Sequence, residues 1–258
     1  MSVETYWREN GLGELVGAFD RARPGEASIT PLRAVMADLV RLHRLIRKHR
    51  RMSVLEFGVG YSTVVLAHAL AENEAEFSRL RPNGITLRPD DFRLFSVDAS
   101  ETWIDSVRRG LPEGIAARTA LVHSAVRAGT YQGKLTHFYE SLPDVVPDFI
   151  YIDGPDPRDV TGSVNGLGFG GGRRVPMSAD VLLMEPTLLP GAMVFVDGRT
   201  ANARFLKAHF TRPFQLEADA GADVTLFVLQ EPPLGPRDAA RLDYQTGLGH
   251  AAKLPRLP

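Results

Sequence analysis

The 258-residue chain predicts an α/β fold: a doubly wound, mostly parallel seven-stranded sheet with an antiparallel C-terminal hairpin. Three observations carry this. Short apolar runs alternate with helical stretches from residue 52 to residue 210. Four of those runs end at glycine or aspartate, at Gly58, Asp98, Asp153 and Asp197. Two further apolar runs, Phe214–Ala218 and Val224–Leu229, flank a turn at Gly221 and read as the closing hairpin. Ligands of such sheets bind at the carboxyl ends of the strands, so four polar strand ends on one rim are the main functional signal.

Taken in order, Thr5-Tyr-Trp-Arg8 opens a helix that Pro24-Gly25 breaks. Leu32–Arg51 places Leu32, Val35, Met36, Leu39, Leu42 and Ile46 on one helical face. The opposite face carries Arg33, Arg41, Arg44, Arg47, Lys48, Arg50 and Arg51 and reads as solvated, the alternative being a surface for an acidic substrate or partner. Val54, Leu55 and Phe57 form the first strand, Gly58-Val-Gly60 the turn, and Tyr61–Ala71 a helix with Ser62 or Thr63 at its cap. Residues 72–91 read as an insertion.

Phe92–Val97 and Ala117–Val122 are the second and third strands, with a Ser100-capped helix between them. Gly129–Tyr139 reads as a small hairpin, Asp148–Ile152 as the fourth strand and Ala192–Val196 as the fifth. The glycine-rich loop 156–177, with Arg173 and Arg174, reads as a lid or substrate wall. Helices follow at Ser178–Leu189 and Ala201–Phe210. The organisation expected is an N-terminal helical extension (1–51), a cofactor-binding domain (52–230) and an extended proline-rich tail (231–258).

Bulk composition narrows the function classes. The formal net charge is −1, which argues against a nucleic-acid partner, and no apolar run is long enough to span a membrane. Cysteine is absent, which excludes disulfides, thiolate metal sites and cysteine nucleophiles. A cytoplasmic protein is expected. A dinucleotide fingerprint fits poorly: Thr63 stands where a third Gly or Ala belongs, and Asp98 follows Gly60 by 38 residues.

Glu56-Phe-Gly-Val-Gly60 resembles the first motif of class I S-adenosylmethionine-dependent methyltransferases, and Phe95-Ser-Val-Asp98 resembles their second. Ile150-Tyr-Ile-Asp-Gly154 resembles the fourth-strand motif, and the final hairpin is similar to theirs. The resemblance covers roughly residues 50–230. It implies a Rossmann-like fold, S-adenosylmethionine as cofactor, and a cofactor site of Glu56, Phe57, Gly58, Gly60, Tyr61, Ser62, Asp98, Ser124, Ala125 and Asp153. Glu56 would serve the ammonium end, Asp98 the ribose diol, and Ser124 and Ala125 the adenine.

The Asp-Gly pairs at Asp153 and Asp197 resemble small-molecule O-methyltransferases, implying transfer to a hydroxyl oxygen of a small acceptor. Asp153 and His137 are the catalytic candidates; His123 and His209 are the other histidines considered as bases. Asp153 and Asp197 match the two acids that hold a divalent cation in the metal-dependent branch, where oxygen donors suit magnesium or calcium. Gly198 replaces the Asn of that branch and withholds one donor; without a metal, Asp153 orients cofactor or substrate. Arg173 and Arg174 suit an acidic acceptor, and the N-terminal helix and tail are candidate elements of a homodimer interface. The rival reading is a non-catalytic cofactor-binding or interaction protein with the same pocket.

Overall fold

The computed structural model describes residues 1–22 and 35–247. The expected break at Pro24-Gly25, the helix start at Leu32, and Pro255 and Pro258 lie outside the described residues. In chain order the elements begin with α1 (Val3–Glu9), α2 (Leu12–Ala22), α3 (Met36–Lys48), β1 (Ser53–Phe57), α4 (Tyr61–Leu80) and β2 (Arg93–Asp98). They continue with α5 (Glu101–Gly110), α6 (Glu113–Ala116), β3 (Thr119–His123), β4 (Val126–Tyr131), β5 (Lys134–Tyr139), β6 (Phe149–Ile152) and β7 (Val160–Thr161). The last are α7 (Asp180–Met184), β8 (Met193–Asp197), α8 (Thr200–His209), β9 (Phe214–Asp219), β10 (Val224–Leu229) and α9 (Pro236–Thr246).

The main sheet has seven strands in the order β3-β2-β1-β6-β8-β10-β9. β3, β2, β1, β6 and β8 run parallel, and β10 runs antiparallel to both β8 and β9. This is the expected Rossmann-like, mostly parallel sheet with an antiparallel C-terminal hairpin. Chain order reverses between β1 and β6, which makes that junction the topological switch point. β4 and β5 are the expected hairpin, and with β7 they form a separate three-stranded sheet.

Strand alternation divides the core. Val54, Leu94, Phe149, Tyr151 and Phe195 pack with α3, α4 and α5 on one face. Leu55, Phe57, Ile150, Ile152 and Val194 face the other way, towards α7, α8 and the small sheet. Glu56 follows Val54 in this alternation and therefore points at the start of α4, where its hydroxyl partners are.

Two expectations change together. α4 runs on to Leu80, because Glu72 and Glu76 are one helical turn apart and both meet α3. Arg47 pairs with Glu72 and Glu76, at 3.1 and 3.2 Å, and Arg50 with Glu76 at 3.1 Å. The basic face of α3 is thus a docking surface against α4 at these positions, not a solvated one. Arg51 goes further: it is 1% exposed and donates to the carbonyl of Gly191 at 2.9 Å.

The segment after Glu231 also differs from its expected extended form. Pro236 occupies the first turn of α9 and Gly247 its left-handed C-cap, the pairing of residues that starts and stops a helix. α9 fastens the amino-terminal end of the sheet. Arg241 meets Asp91 at 2.7 Å, and Gln245 donates to Asp148 Oδ2 at 2.5 Å. The helix expected over Ser178–Leu189 is shorter, since α7 gives way to a 3-10 turn at Glu185-Pro-Thr187.

Asp148 gathers this end of the molecule. Its carboxylate accepts the N–H groups of Met52 (2.9 Å) and Ser53 (3.1 Å), and Arg241 stands 3.7 Å away. Removing one partner leaves buried charge and buried N–H groups uncompensated. We expect Asp148→Ala to cost about 3–5 kcal/mol in urea unfolding. A loss below about 1 kcal/mol, the scale of a surface pair, would show that the carboxylate is not structurally buried in solution.

Candidate functional site

At the switch point lies a cavity of about 590 Å³, a size suited to a small-molecule ligand. Its floor is the carboxyl end of the sheet. Gly58, Val59 and Gly60 follow β1, Asp98 ends β2, Asp153 and Gly154 follow β6, and Asp197 ends β8. α3 contributes Asp38, Leu39 and Leu42 from the side, and Trp103 of α5 completes an apolar wall.

Glycine is required at two places in this floor. A Cβ on Gly154 would sit 2.6 Å from the Gly58 nitrogen and 2.8 Å from the Phe57 carbonyl carbon. Gly58 itself has φ +100°, a conformation side chains rarely adopt. Gly60 is different: a Cβ there meets nothing within 4 Å, and the residue lines the cavity, so its missing side chain leaves open space for a ligand.

Asp98 is the central polar group. One carboxylate oxygen accepts the Val59 N–H at 3.0 Å, the other the Ser100 N–H at 2.8 Å. Each oxygen keeps a further lone pair for a ligand. Burial pushes the carboxyl up to about 6, against the lowering effect of the Ser100, Val59 and Ala99 N–H groups. Ser100 caps α5 as expected, accepting from the Trp103 N–H.

Asp153 is solvent-accessible but recessed. That recess raises its carboxyl, the Arg199 guanidinium opposes the rise, and Asp38 adds to it. Burial likewise pushes Asp197 up to about 6, with the Asp153 and Asp38 charges contributing, while it accepts the Tyr151 hydroxyl at 3.0 Å. Arg199 donates from Nε to the Asp153 carbonyl (2.9 Å) and from Nη2 to the Pro155 carbonyl (2.9 Å). Its Nη1 is buried without a hydrogen-bond partner among the described residues. Among the described residues six aspartates (38, 98, 153, 156, 159 and 197) and Arg199 line the cavity; Asp38 pairs with Arg41 at 2.7 Å and Asp156 with Arg158 at 2.8 Å, and the remaining carboxylates favour a cationic or hydroxyl-rich ligand.

Of the residues singled out from sequence, Gly58, Gly60, Tyr61, Ser62, Asp98, Asp153 and Asp197 line this cavity. Glu56 does not. It is fully buried under the turn, where the hydroxyls of Ser62 (2.5 Å), Thr63 (2.7 Å) and Ser96 (2.5 Å) donate to it. It braces the start of α4 rather than meeting a ligand's ammonium directly, and burial pushes its carboxyl up to about 7. Phe57 is buried and stacks on Tyr139 at 5.4 Å. Ser124 and Ala125 sit next to the β2 end, where the Ser124 N–H donates to the Asp98 carbonyl, but neither lines the cavity.

His137, the other expected catalytic residue, does not line the cavity. It is 0% exposed, because β5 belongs to the small sheet and Phe169 closes edge-on over its ring at 5.3 Å. Burial, with the Arg199 charge adding to it, holds the imidazole down at about 3. Neither His123 nor His209 lines the cavity either. The loop after β6 contributes Asp156, Pro157 and Asp159 as a wall, while Arg173 and Arg174 are exposed away from it. Asp153 and Asp197 gather no third His, Asp or Glu with ligand atoms within 4.8 Å among the described residues.

Sequence reasoning missed Asp38 and Arg199. Asp38 lies in the first turn of α3, where an acid reads as a dipole partner. Arg199 follows Asp197-Gly198 directly, and that proximity was the available signal.

No protein-family model and no curated protein matches the chain. Among solved structures it is similar to the O-methyltransferase TomG from Streptomyces achromogenes in complex with SAM, at 17% identity over 83% of this chain and 90% of that chain, TM-score 0.47. It is similar to the O-methyltransferase from Bacillus cereus in complex with SAH, at 15% identity over 89% and 100%, TM-score 0.42. It is also similar to the SAH-bound Podospora anserina methyltransferase PaMTH1, at 12% identity over 84% and 88%, TM-score 0.49. At these values the architecture rests on this chain's own strand order, and the site on its own residues. No helix among the described residues is long and apolar enough to cross a membrane.

Two outcomes are expected from the floor. Gly154→Ala should push the two loops apart and lower the thermal midpoint by several degrees, a packing clash costing about 1–3 kcal/mol. Glu56 has a folded pKa above its unfolded value, so its contribution is fully present below about 4.5 and is lost as pH rises through about 7. Glu56→Gln should flatten the fall in stability across that window; an unchanged pH profile would assign the slope to other groups.

Proposed function

We propose that the chain is an S-adenosylmethionine-dependent methyltransferase acting on the oxygen of a small hydroxyl-bearing acceptor. The observation that carries this is the acid-rich cavity at the switch point with Asp98 facing into it. Its donor set suits the cofactor: Asp98 has free lone pairs for a ribose diol, Gly60 leaves room, and the surrounding carboxylates favour a cationic centre. A pyrophosphate cofactor would meet the carboxylates of Asp98, Asp153, Asp159 and Asp197, which outnumber Arg199.

When bound, S-adenosylmethionine supplies an electrophilic methyl group on a sulfonium. The protein's part is alignment and proton removal. Leu39, Leu42 and Trp103 exclude water from one side of the cavity. Asp197 and Asp153 are the proton acceptors for the hydroxyl. A carboxylate raised to about 6, as at Asp197, is a stronger base than an exposed one and is still ionised at neutral pH. Arg199 fixes the loop that carries Asp153 through that residue's carbonyl.

Calorimetry with S-adenosylhomocysteine tests the cofactor. We expect micromolar binding, weakened about tenfold or more by Asp98→Ala, a loss of roughly 1.5–3 kcal/mol for hydrogen bonds to a charged group. Because the ligand's hydroxyls favour the ionised form, affinity should fall as pH drops through about 6, and Asp98→Asn should be weak and flat with pH. Absence of binding by folded protein, or an Asp98→Ala variant that binds as well, would sink the assignment. Turnover on a panel of hydroxyl compounds should drop about 10²-fold or more in Asp197→Asn with the cofactor Kd retained.

A further inference from the structure

One turn along α3 from Leu39, three metal-ligating groups converge. His43 comes from α3, and His68 and Glu72 from successive turns of α4. His43 is fully buried, and its Nε2 lies 3.1 Å from His68 Nδ1 and 3.2 Å from Glu72 Oε2. All three ligand atoms lie within 4.8 Å of one another.

The convergence is frustrated as a hydrogen-bond network. Two ring nitrogens and a carboxylate oxygen point at one another, and a neutral imidazole has one N–H to offer. A proton on His43 Nε2 cannot align with both His68 Nδ1 and Glu72 Oε2. Glu72 Oε2 is in fact buried with no well-aligned hydrogen bond. Arg47 Nε lies 3.1 Å from that oxygen, but Arg47 also holds Glu76 at 3.2 Å and donates to Asn73 Oδ1, so it does not depend on Glu72 alone.

We propose that His43 Nε2, His68 Nδ1 and Glu72 Oε2 bind a zinc ion. Two ligands each about 2.0–2.1 Å from zinc at a tetrahedral angle stand roughly 3.3 Å apart, close to the separations present here. The proton between the rings is displaced by the metal. His43 then keeps its own proton on Nδ1 and donates it to the Tyr6 hydroxyl oxygen, 2.8 Å away, the outer contact that fixes a ligating tautomer. The Glu72 side chain is 33% exposed, so solvent reaches the rim of the cluster although Oε2 itself is buried. The ion ties α1, α3 and α4 together, and α3 carries the Asp38, Leu39 and Leu42 that line the cavity.

The test is calorimetric titration of zinc into the metal-stripped full chain, with thermal melts alongside. Wild type should bind one equivalent and melt higher with zinc. His68→Gln and Glu72→Gln should each weaken binding ~10–100-fold or more and lose the zinc-dependent rise, and Tyr6→Phe should weaken it ~10-fold. Melts of the metal-free variants show whether they remain folded. Cobalt should give the intense visible absorption of a four-coordinate site in wild type and not in His68→Gln. The double variant Asp153→Asn, Asp197→Asn should bind zinc as wild type does. Absence of stoichiometric binding, binding unchanged in both His68→Gln and Glu72→Gln, or binding lost in the aspartate double variant would overturn the proposal.

Discussion

The backbone-to-backbone contact between Gly58 and Gly154 sets the rest of the site. The Phe57 carbonyl accepts the N–H groups of Asp153 (3.1 Å) and Gly154 (2.6 Å), so the loops after β1 and β6 are held together without a side chain between them. That closeness is possible only where both residues lack a Cβ. Its effect is to place Asp98, Asp153 and the start of α4 around one space. Moving either loop by the width of a methyl group would separate the polar groups that share the cavity.

Charge is distributed unequally between the two ends of the sheet. At the amino-terminal end Asp148, Arg51, Arg241 and Asp91 are buried and partnered. At the carboxyl end Asp98, Asp153 and Asp197 are all raised by burial, with Arg199 as the cation lining the same cavity. The repulsion between Asp153 and Asp197, opposed in part by Arg199 and Arg41, is a cost to the free protein that a cationic ligand would offset. Stability held at one end lets the other keep an unfavourable charge set, the usual relation between a scaffold and its site.

What could be read before the fold was known follows from what each residue's neighbours in sequence reveal. The succession of strands along the chain and the rim residues Gly58, Asp98, Asp153 and Asp197 were legible because strand periodicity and strand-end polarity are local properties. The role of Glu56 was not, since its partner Ser96 lies on a different strand, and only strand alternation, read forward, would have turned Glu56 away from the cavity. His137 looked available because its cover, Phe169, arrives from a loop with no periodicity of its own. The arginines of α3 looked solvated because the acids that meet them were assigned to a loop, so one misplaced helix end at Ala71 produced both errors. α9 was hidden by the surrounding prolines, although Pro236 and Gly247 stand where a helix would begin and end.

The position of α9 has a consequence for how the chain is made. Arg241 and Gln245 complete contacts with Asp91 and Asp148, residues synthesised much earlier. Until about residue 245 clears the ribosome, the amino-terminal ends of the central strands carry a buried carboxylate short of its partners. The residues lining the switch-point cavity are complete in sequence at Arg199, but the contacts that satisfy Asp148 beneath it wait for α9, nearly fifty residues later.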